Sequence, residues 1–495
     1  MENLFAYLLN VLTPVNLAFC SLGVVIGIIV GAMPGLTATM AVAVLIPVTY
    51  KLDAITALVL LGSAYCGALY GGSISAILLN TPGTPAAAAT CIEGYPMAQK
   101  GEAGRALGMA TFASGIGGII SFFALLLMAP LLSALALKFA PSDYFLLALL
   151  GIGLIVSLSS KNFVKGLIAG VLGLLLATVG MEPMTGFPRF TFGNTSLYAG
   201  LPLVPTLVGL LSTSQLFLLT EQATQRIMKT DTLIGRIVPS LKELKRLIPI
   251  FIRSSIIGIA VGVMPGAGSN VATFIAYNDA KSISKDGAKF GTGVVDGIAA
   301  TESCNNAVSG GSLAPMLTLG IPGSNTTAVL MGALMLHGMA PGPELFTKHA
   351  ETAYSFIMSL LPANIIMVLF GLLACKCAVH IVRIPNNILA AVIMALSVVG
   401  AFALNNNFFN VYIMLIFGVI GYILKKLEID VVPLVLAFIL GSTAEAGLKR
   451  TIALAGPNNI LLYIFSKPLS LILAALVLIT VLSPLVKMWK ARTAK

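Results

Sequence analysis

Four clusters of hydroxyl and amide side chains, each beside a Pro-Gly pair in an otherwise apolar chain, are the groups that could do chemistry here. The first is Pro34-Gly35 with Thr37 and Thr39, and the second is Asn80-Thr81-Pro82-Gly83-Thr84. The third is Pro265-Gly266 with Ser269, Asn270 and Thr273, and the fourth is Pro322-Gly323-Ser324-Asn325-Thr326-Thr327. A helix cannot run intact through Pro-Gly, because proline lacks an N–H and clashes with the preceding turn while glycine relaxes the chain. Each break frees N–H groups at one half-helix start and carbonyls at the other half-helix end. The N–H ends attract carboxylates. The carbonyls, with Ser, Thr and Asn oxygens, suit Na⁺. A lone hydroxyl in a membrane helix ordinarily bonds back to its own backbone, so the clusters carry the argument and the individual residues do not. Glu302 adds an ionisable group, followed by Asn305 and Asn306. An acid near membrane depth is a functional candidate by default, able to ligate a cation, carry a proton or pair with a base. Capping a helix at the water boundary is the structural alternative. Asp279 and Asp296 read as solvated residues flanking a lysine loop.

The elements that must hold these groups are membrane helices. The chain has 495 residues, 58% hydrophobic and only 9% charged, against about 25% charged in soluble domains. The fold class expected is an all-α polytopic membrane protein. Met1-Glu2-Asn3 has no basic region, so a cleaved signal peptide is not expected. The net charge of +11 reads as cytoplasmic loop anchoring and not as nucleic-acid binding. The six cysteines and three histidines show no metal-ligand spacing. There is no phosphate-binding loop and no Ser/His/Asp set, so neither an enzyme, a resident cofactor nor ATP drive is expected.

The pattern occurs twice. Pro34 and Pro265 are 231 residues apart, Pro82 and Pro322 are 240 apart, and Leu201-Pro202-Leu203-Val204 recurs 231 residues later as Val432-Pro433-Leu434-Val435. This gives a first membrane repeat over 15–220, a basic cytoplasmic linker over 221–248, a second repeat over 249–450, and an extra span over 460–482. Basic residues place the linker, Lys100, Arg105, Lys161, Lys165, Arg383, Lys425 and Lys426 inside and the 181–195 loop outside, which makes the halves inverted. Lys449 and Arg450 fall outside, against the rule. The inside placement of Lys281, Lys285 and Lys289 makes 251–280 a re-entrant hairpin. Its arms of about 14 residues would reach roughly 21 Å, short of an approximately 30 Å core. Each half thus reads as one Pro-Gly-tipped hairpin and one Pro-Gly-broken helix, with two ordinary kinked spans as the alternative. Glu93 to Arg105 reads as a polar loop.

The runs Gly31-Ala32-Met33-Pro34-Gly35-Leu36-Thr37, Tyr70-Gly71-Gly72-Ser73 through Thr84, Gly262 through Ser269, and Glu302-Ser303-Cys304-Asn305-Asn306 through Gly323 resemble the large membrane subunit of bacterial tripartite tricarboxylate transporters. Thr301 stands where relatives often carry a proline before the glutamate. The resemblance covers nearly the whole chain. It implies a secondary transporter in the bacterial inner membrane that imports tricarboxylates or related organic acid anions. It also implies a small membrane subunit and a periplasmic solute-binding protein as partners, with coupling to Na⁺, or alternatively H⁺. Alternating access would move a unit holding both hairpins and both breaks against the remaining spans. A passive anion channel is the rival, and it would favour rings of like residues.

Overall fold

In a computed structural model of the chain, nearly every element is a helix. The structure describes residues 4–159, 163–182, 185–221, 235–265, 268–382, 386–404, 406–456 and 460–493. The one sheet among them is a two-stranded antiparallel pair, with Gly180 opposite Arg189 and Met181 opposite Pro188. Seven of the described helices are long and apolar enough to cross a bilayer. Their outer faces carry exposed Leu127, Leu131, Val171, Leu369, Leu373, Val399, Ile416 and Ile479, apolar surface that a soluble monomer does not show in such quantity. The chain is a multi-pass membrane protein.

The chain divides into two compact units that cut across both sequence halves. One comprises Met1–Leu132 and Gln215–Asn405, the other Ser133–Ser214 and Asn406–Lys495. All four Pro-Gly sites belong to the first unit.

That unit is built around two buried helices, Ala54–Leu79 and Val295–Leu319. The first starts where the Asp53 carboxylate accepts hydrogen bonds from the N–H groups of Ile55 and Thr56, both at 3.0 Å. Every residue from Thr56 to Leu78 is buried, as is every residue from Val295 to Thr318. Both helices are rich in Ala, Gly and Ser, and small residues let neighbouring backbones come close. The helix Pro14–Gly31 lies on the first of them and Leu241–Val263 on the second. A Cβ added to Gly27 or Gly31 would stand 2.3 Å from the Ala64 or Ala68 carbonyl oxygen. One added to Gly258 or Gly262 would stand 2.4 or 2.8 Å from the Cys304 or Val308 oxygen. The reciprocal contacts match too: Gly71 faces the Ile28 oxygen and Gly311 the Ile259 oxygen, both at 2.5 Å. The same glycine-to-carbonyl contacts therefore recur in each half, at the offsets of 231 and 240 residues.

Three local expectations differ from what is observed. The helices expected as short leading hairpin arms are longer than about 14 residues: Pro14–Gly31 has 18 and Leu241–Val263 has 23, both long and apolar enough to cross, so the length argument for re-entry does not hold for them, while the trailing helices Ala38–Thr49 and Gly268–Ile283 have 12 and 16. The second leading arm begins early because the Ser240 hydroxyl caps it, accepting from the Glu243 N–H at 3.2 Å. The stretch read as a polar loop is instead the helix Ala88–Gln99, with Glu93 buried, followed closely by Ala103–Ala136. Finally, Asp279 and Asp296 are not simply solvated. Asp279 accepts from Arg253 at 2.7 and 3.0 Å, and buried Asp296 accepts from Arg246 at 2.5 Å and Ser284 at 2.8 Å.

The second unit packs Val431–Ala455 against Pro141–Ser159 and Phe163–Ala177. The expected last span is two pieces, Ile460–Phe465 and Pro468–Thr493, since the residue before a proline avoids helical backbone. Arg189 forks onto Glu445 at 2.7 and 3.1 Å, and Lys449 pairs with Glu445 and with Glu182.

Candidate functional site

The two breaks share one backbone design. Ala54–Leu79 ends on Asn80 in the left-handed region, at φ 54°, and Val295–Leu319 ends on Gly320 at φ 70°. The chain then folds back on its own helix. Gly83 N–H donates to the Gly72 oxygen at 3.2 Å, and Gly323 N–H donates to the Ser312 oxygen at 3.4 Å. A Cβ on Gly83 would stand 2.1 Å from the Gly31 oxygen, and one on Gly323 would stand 2.1 Å from the Gly262 oxygen. Only glycine fits where a break is pressed onto the end of its own hairpin arm.

The hairpin tips meet the opposite breaks. At the first tip Gly35 takes φ 87°, and its carbonyl accepts from the Gln215 amide at 3.1 Å. Thr37 caps Ala38–Thr49 by accepting from the Met40 N–H at 3.2 Å. Two residues on, the Thr39 hydroxyl lies 3.0 Å from that of Thr326, and both are buried. At the second tip Gly266 lies outside the described residues. Thr273 donates to the Ala86 oxygen at 3.1 Å, beside the first break, while Ser269 is half-buried and Asn270 exposed. Thr39 and Asn270 are 231 residues apart, and Ala86 and Thr326 are 240 apart, but Asn270 is exposed and Thr273, three residues on, meets Ala86 in its place. The second tip thus meets the first break through a different residue.

The helix Asn325–Leu336 starts with a capping box: Ser324 accepts from the Thr327 N–H at 3.2 Å, and Thr327 accepts from the Ser324 N–H at 2.9 Å. These two side chains thus serve the backbone. Asn325 is exposed, and Pro322 and Gly323 are buried. Thr39 and Thr326 are the second residues of their helices, so their contact sets the starts of two half-helices side by side. Both starts carry free N–H groups and partial positive charge. At the first break Asn80 is an exposed helix terminator, Thr81 donates to the Leu79 oxygen at 3.3 Å, and Thr84 is buried.

Glu302 is fully buried. It accepts from Thr90 at 2.5 Å and from Ser114 at 3.0 Å, and Thr90 also touches Thr301 at 2.9 Å. Its hydrogen bonds therefore run to the neighbouring helices Ala88–Gln99 and Ala103–Ala136, away from the break that follows it in sequence. It does not cap a helix at a water boundary. Asn305 donates to the Leu69 oxygen at 3.0 Å and Asn306 to the Met367 sulfur at 3.3 Å, and both side-chain oxygens lack a partner.

Sequence reasoning missed three residues. Tyr65, fully enclosed, reaches from the first central helix to Ser312 and Ser324, each at 3.3 Å. Ser75 is buried beside Gly83. Glu93 accepts four hydrogen bonds: from Tyr277 at 2.7 Å, Gly291 N–H at 2.5 Å, and the Gly293 and Val294 N–H groups at 2.7 Å each. A signal for Glu93 was available, since an acid followed by Gly94 in an otherwise small and apolar run can face inward when loop amides receive it.

The site is therefore a set of broken helix ends in a membrane protein, lined by hydroxyls, amides and backbone, with one enclosed acid near it. No solved structure matches the chain. It is 36% identical over 444 residues to the "Uncharacterized 52.8 kDa protein in TAR-I ttuC' 3'region" of Agrobacterium vitis, covering 90% of this chain and 88% of that protein. It is 35% identical over 198 residues to the "Uncharacterized protein in TAR-II ttuC' 3'region" of the same organism, covering 40% of this chain and 82% of that one. Residues 17–436 match the Tripartite tricarboxylate transporter TctA family. That family comprises the large subunits of tripartite tricarboxylate transporters and is not an enzyme family, and this chain belongs to it.

Proposed function

We propose that this chain imports tricarboxylate or related organic acid anions across the bacterial inner membrane by alternating access, driven by a cation gradient, with Na⁺ as the coupling ion. The observation that carries the reading is the 3.0 Å contact between Thr39 and Thr326. It juxtaposes two helix N-termini from different halves of the sequence, and paired N–H ends are an anion site that needs no buried lysine or arginine. Exposed Asn325 and the threonine at the start of the other helix, Thr37, flank that point. The substrate's carboxylates would bind there. The cation would be held by carbonyl and hydroxyl oxygens at the Pro-Gly breaks, offsetting the remaining negative charge. Membership of the family supports delivery by a periplasmic binding protein and assembly with a small membrane subunit.

The test is uptake of labelled citrate and a panel of dicarboxylates into vesicles. The vesicles hold this chain with its small subunit, and the binding protein is supplied outside. Uptake that requires both a Na⁺ gradient and the binding protein supports the reading. Sodium-independent uptake abolished by a protonophore replaces Na⁺ with H⁺. Flux down the substrate's own gradient without counterflow exchange refutes it in favour of a channel.

A further inference from the structure

We infer that the chain holds one Na⁺ at the first Pro-Gly break, ligated by the Gly31 carbonyl oxygen, Ser75 Oγ and Thr84 Oγ1, and that the matching place in the second break is closed by Tyr65. The inference rests on the cation-coupled reading above, but it fixes which break holds the ion and through which atoms.

Three oxygens gather around Gly83 and Gly72, whose backbones are joined at 3.2 Å. The position of a Gly83 Cβ is 2.1 Å from the Gly31 oxygen and 2.8 Å from Ser75 Oγ, and that of a Gly72 Cβ is 2.4 Å from Thr84 Oγ1. Gly31 closes its helix, so its carbonyl is one of the end groups that no intrahelical N–H reaches. Ser75 and Thr84 are 0% and 3% exposed, and neither hydroxyl oxygen has a hydrogen-bond partner. This is unusual on this helix. Ser63 and Ser73 both bond back to carbonyls of their own helix, at 2.5 and 2.8 Å. A buried hydroxyl without a partner costs about 1–3 kcal/mol, so two at one break call for a ligand. The other buried hydroxyls without partners among the described residues lie elsewhere: Ser254 and Ser255 sit inside Leu241–Val263, Ser355 in Ala350–Val382 and Ser397 in Asn386–Ala403, and Thr206, Ser212 and Thr213 belong to the other compact unit.

The second break shows what a filled site looks like. Displaced by 240 residues, Ser75 corresponds to Pro315 and Thr84 to Ser324. Pro315 offers no side-chain oxygen. Ser324 is engaged in its capping box with Thr327, and Tyr65 touches both Ser324 and Ser312 at 3.3 Å. The residue corresponding to Tyr65 in the second half is Asn305. Its shorter side chain stops at the Leu69 oxygen, 3.0 Å away, and leaves the first break open.

The ligand chemistry selects the ion. A carbonyl and two hydroxyls are neutral hard donors. A divalent cation asks for carboxylates, and a proton finds no base among these three groups. A small monovalent cation fits.

The test is thermal unfolding of the full-length protein in nanodiscs, titrated with NaCl against choline chloride at constant ionic strength, without substrate. The wild type is expected to be stabilised saturably by Na⁺ and not by K⁺. In Ser75→Ala and in Thr84→Val the half-effect concentration should rise at least tenfold, and in Ser324→Ala it should stay within twofold. Unchanged half-effects in both first-break variants, or no Na⁺-specific stabilisation of the wild type, overturn the inference. If Thr84→Val does not fold, Ser75→Ala and Ser75→Cys decide it alone. The outcomes separate the site from the function. Na⁺ binding lost in Ser75→Ala with vesicle uptake that ignores sodium leaves the site standing and sinks sodium coupling. Sodium-driven uptake with Ser75→Ala binding Na⁺ normally sinks the site and leaves the function.

Discussion

Replacing Glu93 with glutamine should loosen the entry to the second central helix without altering side-chain size. The Glu93 carboxyl receives four donors within 2.7 Å: one phenol and three consecutive-loop N–H groups at Gly291, Gly293 and Val294. Gly291 and Gly293 sit at φ 93° and 96°, which turns their N–H groups toward one point at a conformation other residues rarely adopt. A glutamine has one accepting oxygen, and its NH₂ would face the Gly291 N–H and the Tyr277 hydroxyl, of which only the hydroxyl can turn to accept. In Glu93→Gln the Gly291 donor is left unmet and the phenol must reverse its role. Each buried donor left unmet costs about 1–3 kcal/mol. The effects are not additive, and part of the loss is recovered by water, so about 3 kcal/mol is the expected local cost. At about 1.4 kcal/mol per decade, that raises the opening constant of the 291–294 loop roughly 100-fold. Native-state hydrogen exchange reads it directly. The amides of Gly291, Gly293 and Val294 should exchange about two decades faster in the variant, with the amides of Pro14–Gly31 as the unaffected reference. Uptake should fall as well, because the loop leads into the helix that carries Glu302 and the second break. Exchange at the three amides within threefold of wild type would refute the argument, since the carboxyl would then not be what holds the loop.

Glu302→Ala should destabilise by about 2–4 kcal/mol, because it leaves the Ser114 hydroxyl unmet beside a new cavity, while Thr90 keeps Thr301. Glu302→Gln should cost under about 1.5 kcal/mol, and thermal unfolding with uptake separates a structural acid from a transport acid: a stable, inactive Glu302→Gln marks the latter. Gly83→Ala and Gly323→Ala should each cost about 3 kcal/mol, the upper end for overpacking, since the new Cβ meets a backbone oxygen that cannot turn aside. The two should fall together in melting temperature, and a neutral variant at either position contradicts the shared design. A double-mutant cycle of Thr39→Val and Thr326→Val should return a coupling of about 1 kcal/mol in stability, and a coupling near zero would remove the contact that pairs the helix starts.

The sequence made the frame legible because the frame is written in glycine and proline. Pro82-Gly83 and Pro322-Gly323 do break two helices, and the repeat offsets predicted from the prolines match the carbonyl contacts of Gly31 and Gly262 residue for residue. Long apolar runs also end at acidic caps visible in the sequence, such as Asp53 and Asp430. What was not legible depends on distant partners. Asn80 looked like a ligand and is a left-handed helix terminator; Ser324 and Thr327 looked like ligands and cap a helix. Glu93 reads as solvated until its partners are known, because the loop amides that receive it lie about 200 residues on. Asp296 was misread for the same reason, its arginine lying 50 residues upstream.

The two halves agree in backbone and differ in chemistry, and the difference has a steric logic. At four pairs of positions a Cβ would strike a backbone oxygen in both halves, and both members are glycine: Gly27 and Gly258, Gly31 and Gly262, Gly71 and Gly311, and Gly83 and Gly323. Positions that face other side chains are free to diverge. The partner of Glu302 in the first half, 240 residues earlier, is Gly62. A Cβ there would stand 2.6 Å from the Phe356 ring, so the first half fills with an aromatic ring the space in which the second half keeps a carboxyl and its two hydroxyl donors. Swapping the pair is therefore not symmetric. Gly62→Glu would drive a charged chain into the Phe356 ring, whereas Glu302→Gly would empty a polar pocket between three helices. A protein whose halves shared a symmetric site would have to keep these positions alike. This one keeps those four glycine pairs alike and lets positions 62 and 302, 65 and 305, and 75 and 315 differ.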